Sequence, residues 1–469
     1  MTILRSSGWA LAQNLALQFG SFVVFAGLAR LLGPSEFGAV AFAMSVLAVI
    51  QIVTSAGLTQ LVVQAPDIGG AFLDTAFWLN VGLSVLASLL VCGGAMAVML
   101  PSVEREVLLV LCGTLPLSAL YAAQQGVLIR SMNFRPFALR AMIGQLVGGA
   151  VGLFSALQGA GVWSLVAYRY CAVSVDCATV LLSTGWKPRI RIDLAVLRRL
   201  LRPSLGLVFA QLLTVVDTRG VEIIVGAALG SSVLGQYRVA TRVNEVMLSL
   251  AVRPVSQVAL PAFSKGIRQK ADFTSLYTGL SALVAWSCIG TSFLAALFAK
   301  PMFLLIFGAA WLPSAEIFQV LCGVAVVLAL FVLYEPALIA NGSMVQLTIL
   351  RLVQSSSALA VVYFFVDRGL LAMTAVMMGR MYALMPVFYY VLRLCTSLQW
   401  RPLLGVVVMP GLAVLASYIG YLFMLQIEVW LGMPEGWWPL HLTVAALVYG
   451  AIALLSLQPL IRRWRTSFG

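Results

Sequence analysis

Apolar runs follow one another along almost the whole chain, and each is too long to be a core strand. FAMSVLAVIQIVTSAGL, Phe42–Leu58, is one of them. A helix needs about 20 mostly apolar residues to cross the ~30 Å of bilayer hydrocarbon. These runs lack the two-residue alternation of a barrel strand, and only helices or closed barrels satisfy their backbone in lipid. Hydrophobic side chains make up 62% of the 469 residues and charged ones 10%, against roughly 25% charged in soluble domains. The pattern predicts an all-α, multi-pass membrane protein.

Polar and Pro/Gly punctuation divides the chain into about fourteen helices, at 8–31, 36–64, 72–99, 106–130, 136–158, 160–184, 204–228, 233–260, 273–298, 313–340, 343–366, 369–396, 402–426 and 438–460. Gln13, Asn14 and Gln18 interrupt the first run, which reads as an uncleaved transmembrane helix and not a signal peptide. With the N-terminus in the cytoplasm, the inner side collects Arg130, Arg135, six cations between Lys187 and Arg202, Lys265, Arg268, Lys270, Arg393, Arg401, Arg462, Arg463 and Arg465. The outer side holds Arg30, Arg105, Lys300 and Arg368. That bias sets the orientation, with both termini cytoplasmic. It also accounts for most of the net charge of +13, so the basic character is a topology signal and no nucleic-acid partner is expected. Trp430, Trp437 and Trp438 fall at the outer interface, where aromatic residues gather.

The longest inner connection, WKPRIRIDLAVLRRLLRPS, organises the chain. Asp193 caps a short helix with Leu194, Leu197, Leu200 and Leu201 on one face, and Pro203 is expected to end it. This reads as an amphipathic linker, 185–203, lying on the inner leaflet. It separates an N-lobe of six helices, 1–184, from a C-lobe of six, 204–396; residues 397–469 supply two more helices and a basic tail. The stretch LGPSEFG (Leu32–Gly38) returns as LGSSVLG (Leu229–Gly235) at the same place in the second half. Gly33, Gly38, Gly230 and Gly235 are thus expected to form tight outer turns or hinges. The two halves read as a parallel repeat, a transporter architecture with its site near the membrane midplane.

Seven arginines fall within spans: Arg169, Arg219, Arg238, Arg242, Arg253, Arg351 and Arg380. A midplane arginine costs about 2.5–3.5 kcal/mol, so it needs water, a partner charge or an anionic substrate. Acids at that depth are Asp176, Asp217, Glu222 and Glu245. Arg219 and Glu222 are three apart on one helix, as are Arg242 and Glu245, and can pair there. Arg351 and Arg380 have no acid within a turn. A surplus of guanidinium therefore points to phosphate or acidic sugar. Asp217, Glu222 and Glu245 stand open between coupling to H+ or Na+ and structural ion pairing. Cys92, Cys112, Cys171, Cys177, Cys288, Cys322 and Cys395 have no zinc or redox spacing, and His441 is the single histidine; no metal or cofactor is expected. The outer connections are short, and no paired carboxylates and no Walker sequence occur in the chain, which argues against an enzyme.

GLARLLGPSEFGAVAFAMSVLAVIQIVTSAGLTQLVVQ, LIRSMNFRPFALR, VVDTRGVEIIVGAALGSSVLGQYRVATRVNEV, VSQVALPAFSK and IFGAAWLPSAEIFQVL together resemble the Wzx-type polysaccharide flippases of the MOP exporter superfamily, nearest the colanic-acid and succinoglycan exporters. The resemblance implies two six-helix lobes around a V-shaped cavity in a bacterial cytoplasmic membrane. It implies a polyprenyl-pyrophosphate-linked glycan moved from the inner to the outer leaflet, its tail in membrane lipid. Arg219, Arg242 and Arg380 would correspond to the family's cationic cavity. A glycan polymerase and export machinery would work alongside. The rival readings are a multidrug/cation antiporter of the same superfamily, which would want an acidic cavity, and a peptidoglycan-precursor flippase, which shares the carrier.

Overall fold

The structure, a computed structural model, describes residues 18–55, 58–65, 69–131, 134–184, 186, 188–269, 272–396, 398–431 and 438–468. Residues 8–17 of the first expected helix, Lys187, Lys270 and Trp437 lie outside them. Among the described residues every regular element is a helix, and twelve helical stretches are long and apolar enough to span a membrane. The expected first and seventh helices are not among the twelve: the described part of the first is Gln18–Leu31, and the seventh carries Asp217, Arg219 and Glu222 within a dozen residues of its end. Compactness divides the chain into two units, residues 1–238 with 358–367 and residues 239–357 with 368–469.

The first unit contains α1 (Gln18–Leu31), α2 (Pro34–Ser55), α3 (Leu58–Gln64), α4 (Gly70–Ala97), α5 (Ser102–Leu111), α6 (Thr114–Arg130), α7 (Phe134–Leu157), α8 (Val162–Thr184), α9 (Leu194–Val215), α10 (Val221–Leu229) and the first turns of α11 (Ser231–Arg268). Pro34 stands at the first position of α2, where its missing amide costs no helical bond. Glu36 reaches back to accept the Gly33 amide at 2.8 Å, closing the start of the helix. The linker is tied to the start of α4. The Asp74 carboxylate accepts the Arg189 amide at 3.0 Å, the Thr75 hydroxyl accepts the Asp193 amide at 3.0 Å, and the Trp78 indole donates to the Arg189 carbonyl at 2.9 Å. Asp193 caps α9 as the sequence suggests, accepting from Ala195 at 2.8 Å. Pro203, however, does not end that helix, which continues to Val215. A proline removes one amide from the ladder, a loss that membrane helices tolerate where neighbours satisfy the freed carbonyl.

Small residues let α7 and α8 approach closely. Gly144, Gly148 and Gly152 recur every four residues along α7, so they share one face. A Cβ on Gly148 would stand 3.0 Å from the Tyr168 carbonyl and 3.1 Å from the Ala172 methyl. Close backbone packing of this kind substitutes in lipid for the hydrophobic drive that water supplies. Gly148→Leu is expected to cost about 3 kcal/mol by overpacking, read as a lowered unfolding midpoint in detergent; an unchanged midpoint would mean that α7 and α8 can part freely.

The second unit contains the remainder of α11, α12 (Phe273–Leu297), α13 (Ala299–Ile306), α14 (Leu312–Cys322), α15 (Ala325–Phe331), α16 (Tyr334–Ala340), most of α17 (Met344–Phe365), α18 (Leu370–Thr396), α19 (Trp400–Leu431) and α20 (Trp438–Phe468). Helix α12 is buried along most of its length and organises the core with Phe263, Phe331 and Phe388. Fully buried Tyr277 donates to the Leu330 carbonyl at 2.8 Å, and Tyr449 ties α20 to the Trp286 carbonyl at 2.8 Å. Outward, Leu86, Leu89 and Leu90 on α4 and Leu412, Leu415, Ile419 and Phe423 on α19 are exposed. Water would penalise each by roughly 1.5–3 kcal/mol; hydrocarbon does not.

Two spans are broken at matching places. The fourth helix of the first half parts at Leu111-Cys112-Gly113, between α5 and α6. The fourth helix of the second parts just after Leu321-Cys322, at Gly323-Val324 between α14 and α15, and parts again at Val332-Leu333 between α15 and α16. At each break a tyrosine from the sixth helix of the same half donates to a backbone carbonyl: Tyr170 to Val110, which also accepts the Gly113 amide at 3.2 Å, and Tyr382 to Gly323. At the first break Ser88 also donates to the Cys112 carbonyl at 2.9 Å. The same break brings the Cys92 and Cys112 sulfurs to 3.2 Å, a meeting that their spacing of twenty residues does not announce.

Candidate functional site

Two of the four echoed glycines, Gly38 and Gly235, lie against one another. Gly230 adopts φ +84°, a conformation that side chains rarely take, and turns the chain between α10 and α11. Gly33 occupies the gap between α1 and α2. Gly38 and Gly235 do something else: each sits one turn inside its helix, where α2 and α11 cross backbone to backbone. A Cβ on Gly38 would overlap the Ser231 carbonyl and stand 2.9 Å from the Gly235 nitrogen. A Cβ on Gly235 would overlap the Pro34 carbonyl and stand 3.2 Å from the Gly38 nitrogen. Ser231 follows Pro34 by the same 197 residues that separate Gly235 from Gly38. The contact is thus reciprocal, each copy of the motif packing on the other.

Beyond this crossing lies a charge cluster of the first unit. Between α9 and α10, residues Val216–Gly220 form a π turn, a one-residue insertion that recurs at functional sites. It contains Asp217 and Arg219. Arg219 Nη1 donates to both Glu222 oxygens, at 3.1 and 2.8 Å, and Arg238 Nη1 from α11 donates to Oε1 at 3.0 Å. The Ser45 hydroxyl from α2 donates to Oε2. Glu222 is only 4% exposed, so a buried carboxylate holds two guanidinium groups and joins α2, α10 and α11. The pairing of Arg219 with Glu222 follows from their spacing; Arg238 and Ser45 come to it through space.

A second cluster links α6, α7 and α8. Arg140 Nη1 donates to the Gln125 side chain at 3.1 Å, its Nε stands 3.7 Å from Asp176, and its guanidinium lies 5.5 Å from the Tyr121 ring centre. Close by in sequence, Tyr168 donates to Gln145 at 3.0 Å. Arg169 behaves differently. It lies on α8, seven residues from Asp176, whose carboxylate it attracts electrostatically. Its Nε is buried without a hydrogen-bond partner, and among the described residues no carboxylate stands within direct ion-pair distance of it. Gln124, fully buried on α6, likewise has neither its amide nitrogen nor its oxygen bonded.

In the second unit the arginines are separately held. Arg242 pairs with Glu245 at 3.5 Å along α11. Arg351, which the sequence leaves without an acid, pairs with Glu335 of α16; the partner is sixteen residues away on another helix, where spacing along α17 cannot reveal it. Arg380 donates to the Gln354 carbonyl at 2.7 Å and to the Ser357 hydroxyl at 2.9 Å, both on α17. Sequence reasoning thus missed Ser45, Arg140 and Glu335. Arg140 ends LIRSMNFRPFALR, in the first turns of the expected helix 136–158, and is not counted among the arginines within spans; Glu335 sits in the apolar run FVLYEPALIA. Among the described residues no three His, Cys, Asp or Glu side chains gather as a metal site would require.

Residues 27–316 match the family model described as "Polysaccharide biosynthesis protein". The chain belongs to that family. Among curated relatives of this family member, it is 27% identical over 319 residues to the succinoglycan biosynthesis transport protein ExoT of Rhizobium meliloti (strain 1021), covering 66% of this chain and 63% of ExoT. It is 23% identical over 338 residues to the lipopolysaccharide biosynthesis protein WzxC of Escherichia coli (strain K12), covering 68% of this chain and 66% of WzxC. The matched stretch thus spans a little under two thirds of each relative. Among solved structures, the lipid II flippase MurJ in an inward closed conformation aligns with TM-score 0.74 and 13% identity over 96% of this chain and all of that one. A multidrug resistance MATE transporter of the MOP superfamily, inward-facing, aligns with TM-score 0.58 and 14% identity over 80% of this chain and 93% of that one. The family member therefore has the fold of MOP-superfamily transporters.

Proposed function

We propose that the protein is a flippase, not an enzyme, and that it carries a polyprenyl-pyrophosphate-linked oligosaccharide from the inner to the outer leaflet of a bacterial cytoplasmic membrane. The observation that carries this reading is Arg169, a membrane-embedded guanidinium with a buried, unbonded Nε. A cation at that depth costs several kcal/mol unless an anion meets it. Asp176, shared with Arg140, offsets part of that cost, and a pyrophosphate or acidic sugar supplies oxygens matched to the free part of its fork. Arg219 and Arg238 of the first unit, and separately Arg242, Arg351 and Arg380 of the second, are the further candidates for contact with the anion. In this reading their protein partners hold them in position between substrate encounters. The polysaccharide family and the names of its relatives support the substrate class. The N-terminus is read as cytoplasmic from the distribution of Lys and Arg.

Mechanistically, the parallel halves would alternate access to a shared path. The reciprocal Gly38–Gly235 crossing and the echoed Leu-Cys-Gly breaks support the repeat. Helices interrupted at corresponding positions of two halves accompany transporter sites, and the tyrosines that cap the breaks give each half a joint that can bend without orphaning a carbonyl. An inside-negative potential favours expelling an anion by about 2.3 kcal/mol per charge at 100 mV. Coupling to H+ or Na+ would fall to Asp217, Glu222 or Glu245, and the linker would ride on the inner leaflet.

Binding of a polyprenyl-pyrophosphate oligosaccharide to the purified protein tests the reading. Arg169→Ala is expected to weaken it 10–100-fold, as loss of a charged hydrogen bond worth about 1.5–3 kcal/mol implies, while Arg169→Lys recovers part. Undiminished binding by a folded Arg169→Ala protein would remove Arg169 from the site. Tighter binding of organic cations than of pyrophosphate lipids would favour the antiporter reading.

A further inference from the structure

Far along the second unit, a cavity of about 570 Å³ is lined by Tyr389 and Arg393 of α18, Leu398 and Gln399 of the connection, and Trp400 and Arg401 of α19. It lies where two membrane-spanning stretches, Leu370–Thr396 and Trp400–Gln426, come to their ends. Its floor is fixed. Leu398 is 1% exposed and belongs to the aromatic core, the Tyr389 phenol donates to the Leu398 carbonyl at 3.5 Å, and the Gln399 amide donates to the Thr274 hydroxyl at 3.4 Å. Two arginines thus border a built cavity, and no acid lines it among the described residues. Asp272, near Thr274 in sequence, is engaged in capping α12, accepting the Thr274 amide at 3.0 Å. Neither Arg393 nor Arg401 takes part in an ion pair among the described residues.

The surroundings say what kind of anion fits. Trp400, Leu404 and Val408 follow one another at i, i+4 and i+8 on one face of α19, and all three are exposed. Tyr390 and Leu394, each one residue beyond a lining residue of α18, are exposed as well. An anion held between the arginines would therefore have two apolar tracks running away from it along membrane helices, with Trp400 at the boundary where indoles settle. A free phosphate has no use for those tracks; two acyl chains do. Basic pockets between transmembrane helices recognise lipid headgroups in this manner.

We propose that this cavity binds the headgroup phosphate of an anionic phospholipid, with Arg393 and Arg401 as its ligands and the exposed faces of α18 and α19 carrying the acyl chains. The site is separate from the arginines assigned to the transported substrate, and the inference stands whether or not that assignment does. The lipid joins the ends of α18 and α19, whose only covalent link is a connection of three residues.

The test uses the full-length protein in phosphatidylcholine nanodiscs, titrated with phosphatidylglycerol. Lipid retained after gentle detergent extraction is read by native mass spectrometry, and the unfolding midpoint is read in parallel. Wild type is expected to retain phosphatidylglycerol at least tenfold better than phosphatidylcholine and to gain stability from it. Arg393→Gln/Arg401→Gln is expected to lose both effects while matching wild type in phosphatidylcholine alone, since both side chains are exposed. Arg393→Lys/Arg401→Lys should keep most of the preference. Equal retention of the two lipids by wild type, or an unchanged preference in the Gln variant, would overturn the proposal. A matching stabilisation by inorganic phosphate would assign the cavity to a free anion and overturn the lipid.

Discussion

Alanine at position 38 is expected to destabilise the folded protein by about 3 kcal/mol, the upper end of the range for overpacking. The reason is the identity of the obstructing atoms. A Cβ on Gly38 runs into the backbone of Ser231 and Gly235, which cannot rotate aside as a side chain can, so α2 and α11 must separate. The same argument gives Gly235→Ala a similar cost against Pro34. Because either methyl pushes the same two helices apart, the double variant should cost clearly less than the sum of the singles. Chemical or thermal unfolding in detergent reads all three. Additive costs would mean that the two glycines do not share one crossing, and negligible costs would mean that the helices do not meet as described.

Glu222→Gln is the second large effect. The carboxylate is buried and receives Arg219, Arg238 and the Ser45 hydroxyl. Its neutral isostere keeps the shape but leaves two guanidinium groups facing an amide that can also present a donor. Breaking a buried ion pair from one side costs about 3–5 kcal/mol. Both arginines retain some solvent contact, 31% and 20% of their side chains, which places the expected loss near the lower figure, about 3 kcal/mol. Ser45→Ala, removing one hydrogen bond from the same group, should cost about 1 kcal/mol. Both are read as unfolding free energies, with transport measured beside them. A Glu222→Gln protein of wild-type stability that fails to transport would make this carboxylate a coupling group and not a staple between helices.

These expectations depend on contacts that sequence reveals unevenly. The membrane class and most helices follow from apolar runs alone, because lipid requires them. Pairings along one helix, Arg219 with Glu222 and Arg242 with Glu245, follow from three-residue spacing. Pairings between helices do not: nothing in α17 points to Glu335 as the partner of Arg351, and nothing in α10 points to Ser45. The π turn at Val216–Gly220 is equally silent, since its composition suits an ordinary helix that happens to carry charges. Pro203 misleads because a proline stops a helix in water more surely than in a packed membrane bundle. The LGPSEFG/LGSSVLG echo reads as a pair of turns, and only the fold brings the two copies into contact. The Leu-Cys-Gly echo at 111–113 and 321–323 was visible in the letters, yet three residues of ordinary type carry no weight until both prove to lie at helix breaks.

The central claim, that this polysaccharide-family protein moves an anionic lipid-linked glycan, is tested most directly by translocation in proteoliposomes. A polyprenyl-pyrophosphate oligosaccharide is loaded into one leaflet, and its appearance in the other is followed with a membrane-impermeant glycan-modifying enzyme. Vesicles containing the wild-type protein should expose the glycan well above the protein-free rate, and those with Arg169→Ala should do so 10–100-fold more slowly. Translocation at the protein-free rate by folded wild type, across the plausible glycans and under an imposed inside-negative potential, would contradict the account.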